Sequence, residues 1–146
     1  MADTTYLDPD DLPVGWRTLC LSLDHDIAEM EKAGRISNFA VVQLKEKYGA
    51  MRLYYDVEGS DEALDALSRL VDDYEHISAW TCAYCGAFPS TRVTQGWILP
   101  VCAKCDSGQT ESSAPFDPVY EVHYFQRAEP EKRDTSYLIE RIARFS

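Results

Sequence analysis

Four of the five cysteines fall as Cys82-Ala-Tyr-Cys85 and Cys102-Ala-Lys-Cys105, with two residues inside each pair and sixteen between the pairs. Two intervening residues let one tight turn aim both sulfurs at a single ion. A hairpin that joins two such turns completes a tetrahedral shell of four thiolates. The spacing C-x2-C-x16-C-x2-C is that of a zinc site. Gly86 supports the first turn by tolerating positive φ, and Asp106, in the matching place of the second, enters the left-handed region more readily than most residues. The expectation is one structural Zn2+ per chain held by Cys82, Cys85, Cys102 and Cys105. A closed shell leaves no coordination position for water or substrate, so the ion is a staple rather than a reagent. Four thiolates also hold iron or an iron–sulfur cluster, and spacing alone leaves that choice open. Two redox or disulfide motifs form the remaining reading, disfavoured because stable disulfides are rare in reducing cytosol.

The other reactive side chains do not assemble into a signature. Cys20 lies among Leu19, Leu21 and Leu23, where a free thiol behaves as a small buried hydrophobe. His25, His76 and His123 sit singly on helix or strand patterns, with no metal role expected. Asp72 and Asp73 point about 100° apart on a helix, which suits solvent better than a shared proton. Lys45, Lys47 and Arg52, with Tyr54 and Tyr55, make one basic spot able to meet a phosphate or a base. Pairing with neighbouring acids across a hairpin is the plainer use for them. No Walker loop, G-x-S-x-G, H-E-x-x-H or dinucleotide fingerprint is present, and no catalytic residue or bound organic cofactor is assigned. The chain is expected not to be an enzyme.

These groups need a scaffold, and 146 residues with 45% hydrophobic and 27% charged side chains are enough for one packed core with a small satellite. After the turn-rich lead-in Asp8-Pro9-Asp10-Asp11-Leu12-Pro13, the residues Trp16, Leu19, Cys20, Leu23, Ile27 and Met30 recur on one helical face. Gly34 stops that helix, and Asp24, Asp26, Glu29 and Glu31 fall largely outside the stripe. From Ile36 to Val57 the period changes to two around Lys47-Tyr48-Gly49-Ala50, which predicts a hairpin, with a helical continuation through Leu44–Lys47 as competitor. Gly59-Ser60-Asp61-Glu62 opens a second helix running to about Ser78, apolar at Leu64, Leu67, Leu70, Val71, Tyr74 and Ile77. The predicted class is α+β: a small antiparallel sheet flanked by helices in the order α-β-β-α, with a zinc-ribbon hairpin. The ribbon takes Ser90–Thr94 as one strand, Gln95-Gly96 as its turn and Trp97–Leu99 as the other.

The divisions read as an acidic body over 1–79, a ribbon over 80–106, a flexible linker over 107–116, and a strand and C-terminal helix over 117–146 that pack back on the body. The late strand is Val119–Phe125, Glu129–Arg133 reads as a charged loop, and the tail Ser136–Phe145 as a helix. Closure of a three-stranded sheet by the late strand and its exclusion from that sheet are equally compatible with the pattern.

Charge bears on partners. The formal net charge is −11, and the excess is uneven, with 17 acidic against 7 basic residues through Ala79 and 8 against 7 from Trp80 onward. A field of that sign repels phosphate backbones and anionic lipid, so nucleic acid is disfavoured as a partner. No run approaches the ~20 apolar residues that span a bilayer, and Asp3, Asp8, Asp10 and Asp11 are the reverse of a basic signal-peptide start. The expectation is a cytoplasmic protein with no membrane role.

The stretch Val42-Gln43-Leu44-Lys45-Glu46-Lys47-Tyr48-Gly49-Ala50-Met51-Arg52-Leu53-Tyr54-Tyr55 is followed by a helix, then by Cys82-x2-Cys85-Gly86 and Cys102-x2-Cys105. In this it resembles small uncharacterised proteins of bacteria and their phages, over about residues 14–106. The resemblance implies no catalytic residues. It implies a phage or prophage setting, hence the cytoplasm of a bacterial host. With the acidic body it leads to a zinc-stabilised inhibitor, of anti-CRISPR or nucleic-acid-mimic type, seated on a basic protein surface. The alternatives are a zinc-ribbon protein contacting nucleic acid through Arg92, Trp97 and Lys104, and an enzyme with an unrecognised site.

Overall fold

The computed structural model describes residues 4–90, 92–94, 98–105 and 116–146. Its elements are helix α1 (Arg17–Lys32), strands β1 (Ile36–Lys47) and β2 (Ala50–Gly59), helix α2 (Asp61–Ser78), the short strands β3 (Arg92–Thr94), β4 (Ile98–Pro100), β5 (Val119–Val122) and β6 (Glu131–Asp134), and helix α3 (Ser136–Ala143). The class is α+β. Each strand pairs antiparallel with its sequence neighbour, giving two-stranded units β1–β2, β3–β4 and β5–β6. No helix among the described residues is long and apolar enough to cross a membrane.

Helix α1 buries the stripe that its period predicts, with Trp16, Leu19, Cys20, Leu23 and Ile27 at most 1% exposed. It ends in a Schellman motif. Gly34, at φ +75°, lets the Arg35 N–H reach the Met30 carbonyl at 3.0 Å and its own N–H reach Glu31 at 2.9 Å. The hairpin turns at Tyr48 and Gly49, both with positive φ, which is the pair of left-handed residues that a two-residue hairpin loop demands. The strand reading therefore holds over the helical competitor. At the start of α2 the Ser60 hydroxyl accepts the Ala63 N–H at 3.1 Å, and Asp61 and Glu62 occupy the first turn where the helix dipole favours acids.

A two-stranded ribbon is marginal in water, and here α2 supports it by chemistry as well as packing. The outward N–H groups of β2 at Met51 and Leu53 donate to Ser78 Oγ (2.8 Å) and to the Glu75 carboxylate (2.9 Å). The late strand therefore does not extend the first hairpin. β5 pairs with β6 instead, and β6 lies in the segment read as a charged loop. Its Glu-Lys-Arg-Asp sequence lacks apolar alternation because the inward positions are charged. Arg133 reaches Asp73, and Glu131 meets Arg69. Leu138 of α3 joins the main core, which runs through Trp16, Leu23, Ile27, Met51, Leu67, Val71, Tyr74 and Ile77. The ribbon turn at Gln95-Gly96, Trp97, Asp106 and residues 107–115 of the linker lie outside the described residues.

Several acids expected at the surface are internal. Asp24 is 5% exposed and accepts the N–H groups of Thr5 (2.9 Å), Tyr6 (2.7 Å) and Leu7 (2.9 Å), fastening the lead-in along α1. Asp26, half-buried, accepts from Tyr74 Oη at 2.6 Å and pairs with Arg141 at 2.8 Å. Asp73 is fully buried, where the helical angle argument placed it toward solvent. It accepts Tyr120 Oη (2.7 Å), Tyr137 Oη (2.5 Å) and Arg133 Nη2 (2.7 Å). Its partners lie 47 to 64 residues further along the chain, beyond the reach of any local pattern. Such a carboxylate is tolerated only because every donor is present, and taking away one side of a buried ion pair costs about 3–5 kcal/mol. Asp73→Ala should therefore lower unfolding free energy in urea by that order. A loss under 1 kcal/mol would show that the Arg133–tyrosine cradle contributes little.

Candidate metal centre

The fold brings together the four cysteines singled out by spacing. One sulfur from each of Cys82, Cys85, Cys102 and Cys105 lies within 4.8 Å of all the others, and the Cys85 and Cys102 sulfurs are 3.5 Å apart. Metal–sulfur bonds of about 2.3 Å in a tetrahedron place sulfurs about 3.8 Å apart, so this cluster is of the right size to close on one ion. Cys82 and Cys102 are buried, Cys105 is half-buried and Cys85 is exposed.

Backbone geometry sets each pair. In the first turn the Gly86 N–H reaches the Cys82 carbonyl at 3.0 Å, with Gly86 at φ +82°, and in the second the Cys105 N–H reaches Cys102 at 3.1 Å. The N–H groups of Tyr84, Cys85 and Cys102 are directed at the Cys82 sulfur, those of Lys104 and Cys105 at the Cys102 sulfur, and that of Ala87 at the Cys85 sulfur. Burial pushes the Cys82 thiol up, but these donors outweigh it and bring it down to about 6. The donors at Cys102 likewise lower its thiol, whereas the Cys102 sulfur and burial push Cys105 up to about 12 and raise Cys85 against the Ala87 N–H. A thiolate is the form that binds a metal, so an ion would have to displace the protons from the latter two.

The two turns are joined by the Ala83 N–H to the Pro100 carbonyl at 2.9 Å. Cys82, Val101 and Cys102 form a small buried cluster of their own, edged by Leu99 and Cys105.

A residue that the sequence reading passed over, Gly15, locks this unit to the body. Its N–H donates to the Ala83 carbonyl at 2.8 Å, and the neighbouring Trp16 indole donates to the Thr81 carbonyl at 2.9 Å. A β-carbon on Gly15 would sit 2.0 Å from the Cys82 carbonyl oxygen. One on Gly86 would sit 2.8 Å from the Gly15 oxygen. Two backbones thus meet where neither has a side chain. The available signal was a glycine immediately before an aromatic residue at a helix start, between the lead-in and the first residue of the apolar stripe.

The remaining candidates are elsewhere. Cys20 is fully buried, and burial, with Asp24 and Asp8 adding to it, pushes its thiol up to about 12, so it is a core residue. His25 packs beside Phe145, His76 stacks on Tyr120 at 4.4 Å, and His123 faces Glu121. None belongs to the cysteine cluster. The basic spot is partly engaged: Lys45 lies over Tyr54, Lys47 over Tyr48, and Arg52 faces Glu75 at 3.9 Å.

Arg52, Asp72, Glu75, His76 and His123 line a solvent-open cleft of about 550 Å³ between the hairpin turn, α2 and β5. Burial pushes the Glu75 carboxyl up to about 7, with Asp72 adding to the effect and the Leu53 N–H and Arg52 opposing it. One oxygen is committed to Leu53, so its place is that of a sheet-edge cap.

No family model, no curated protein and no solved structure matches the chain.

Two predictions follow from this geometry. Gly15→Ala, forced against the Cys82 carbonyl, should weaken metal retention at least tenfold in a chelator competition while a control Gly34→Ala leaves it unchanged; equal retention would mean the lead-in and the first turn are not coupled. For Glu75 the sign is set by its raised value. Both states are protonated below about 4.5, the unfolded chain alone ionises between 4.5 and about 7, and stability therefore falls across that window. Glu75→Gln keeps an acceptor for Leu53 and removes the penalty, so it should add on the order of 1–3 kcal/mol at pH 8 and little at pH 4.5. Urea titrations giving the same difference at both pH values would remove the assignment.

Proposed function

We propose that the chain is a non-enzymatic, zinc-stabilised acidic module that acts by seating on a basic protein surface. The observation that carries the metal part is the closure of four thiol sulfurs within 4.8 Å. Zinc is the ion for this donor set in a site with no open position, and with it the Cys82–Cys105 unit is a zinc ribbon whose β3–β4 hairpin is held at its base. The residues supply the thiolates, the N–H donors that offset their charge and a seat on the body. Zinc binding would supply the free energy that a segment this small cannot draw from apolar burial.

The partner reading rests on charge. Asp8, Asp10, Asp11, Asp56, Glu58, Asp61, Glu62 and Asp65 are exposed, so the acidic excess of the first half is carried largely at the surface. A surface of that sign is complementary to one built to hold nucleic acid, which is the face that an inhibitor of a bacterial defence complex would occupy, in keeping with a phage or prophage origin and a site of action in the host cytoplasm. The ribbon itself is a poor nucleic-acid binder, because Arg92 and Lys104 are offset by the net −2 of a zinc ion with four thiolates.

Metal analysis of protein purified without chelators should find about one zinc per chain, retained at pH 7 and lost with folding of the ribbon on chelation. A pull-down from bacterial lysate should recover a protein whose binding weakens steeply with salt. Salt-sensitive binding to DNA or RNA with no protein recovered would move the function to nucleic-acid contact, and iron in place of zinc would change the metal.

A further inference from the structure

We propose that Cys85 is an oxidative modification site through which a hydroperoxide releases the metal and unfastens the ribbon from the body; this rests on the metal reading above. The four sulfurs are not equivalent. Cys82 is fully buried and Cys102 is 9% exposed, whereas Cys85 is open to solvent. Cys105 is half-buried, so among the four ligands Cys85 is the sulfur that an oxidant in solution meets first. Cys85 also lines a cavity of about 620 Å³ between the turn at Val14-Gly15, Phe88 and α3, a path by which a small oxidant reaches it. Cys102 lies 3.5 Å away, close enough to resolve the first product.

The chemistry balances. The Cys85 thiolate attacks one oxygen of hydrogen peroxide; an S–O bond forms, the O–O bond breaks, and hydroxide leaves a sulfenic acid on Cys85. The Cys102 thiolate then attacks that sulfur; an S–S bond forms, the S–O bond breaks, and a second hydroxide departs. Two thiolates have given two electrons to one peroxide. Two of four ligands are consumed, and a two-sulfur remnant does not retain the ion.

The consequence reaches the body because the oxidised turn carries the contacts to it. The Cys82 and Ala83 carbonyls pack against Gly15, and the Gly15 N–H and Trp16 indole are bonded to the same segment. Cys20 is fully buried with its thiol held protonated by burial, so it stays reduced.

The test uses the full chain as purified with zinc, exposed to graded hydrogen peroxide, with released zinc read by a chromogenic chelator and each thiol mapped by mass spectrometry. Expected are about one zinc released per disulfide, Cys85 as the first residue modified, Cys85–Cys102 as the product, an unmodified Cys20, and a melting temperature lowered by several degrees. Thiol reductant with added zinc should restore the starting state. Zinc retained at peroxide doses that oxidise free glutathione would overturn the proposal while leaving the metal reading intact, as would Cys105 or Cys82 reacting first. A chain that purifies without metal would sink both.

Discussion

Four sulfurs within 4.8 Å of one another can all be thiolates only with a cation among them. Unit charges about 4 Å apart repel by about 4 kcal/mol at an effective dielectric constant of 20, and six such pairs exist in the cluster. The backbone donors at Cys82 and Cys102 relieve part of this, and a divalent ion would relieve the rest. The two cysteine turns and the seat of that unit on the start of α1 are joined by backbone hydrogen bonds that bring the four sulfurs to this distance. The contact at Gly15 extends this bonding into the body, since the same carbonyls that belong to the first turn receive the N–H of Gly15 and the indole of Trp16, a residue of the main core.

A second set of charges organises the rest of the chain. Asp24, Asp26 and Asp73 sit on the two long helices and are answered from elsewhere: Asp24 by the N-terminal backbone, Asp26 by Arg141, Asp73 by Arg133, Tyr120 and Tyr137. The C-terminal segment is thereby fixed to the acidic body through guanidinium and phenol donors, with Leu138 as its apolar anchor. Asp26 and Asp73 are thus answered by guanidinium groups of the second half, and the exposed acids elsewhere carry the acidic excess.

What was legible in the sequence was what neighbours in the chain decide. The stripe of α1, the hairpin turn around Gly49, the Ser60 cap and the spacing of Cys82, Cys85, Cys102 and Cys105 each encode a local geometry, and each appears in the structure. What was hidden depends on contacts distant in the chain. Asp73 reads as a solvent-facing acid until Arg133 is seen beside it, and Glu129–Arg133 reads as a loop because the inward side chains of the strand that begins within it are charged. Gly15 stands out from no local pattern because the backbone it must admit arrives almost seventy residues later.

The side chains of Ser78 and Glu75 that close the outer edge of β2 leave β1 as the other rim of the ribbon. An extended rim of twelve residues invites a neighbouring molecule to add a strand. Here the pairing register slips twice, between Ser37 and Ala40 and between Val41 and Gln43, and lysines stand at 45 and 47. Irregular pleating and positive side chains frustrate continuous strand addition. The irregularities that break the regular pairing of β1 therefore make its outer edge a poor template for the backbone of a second chain.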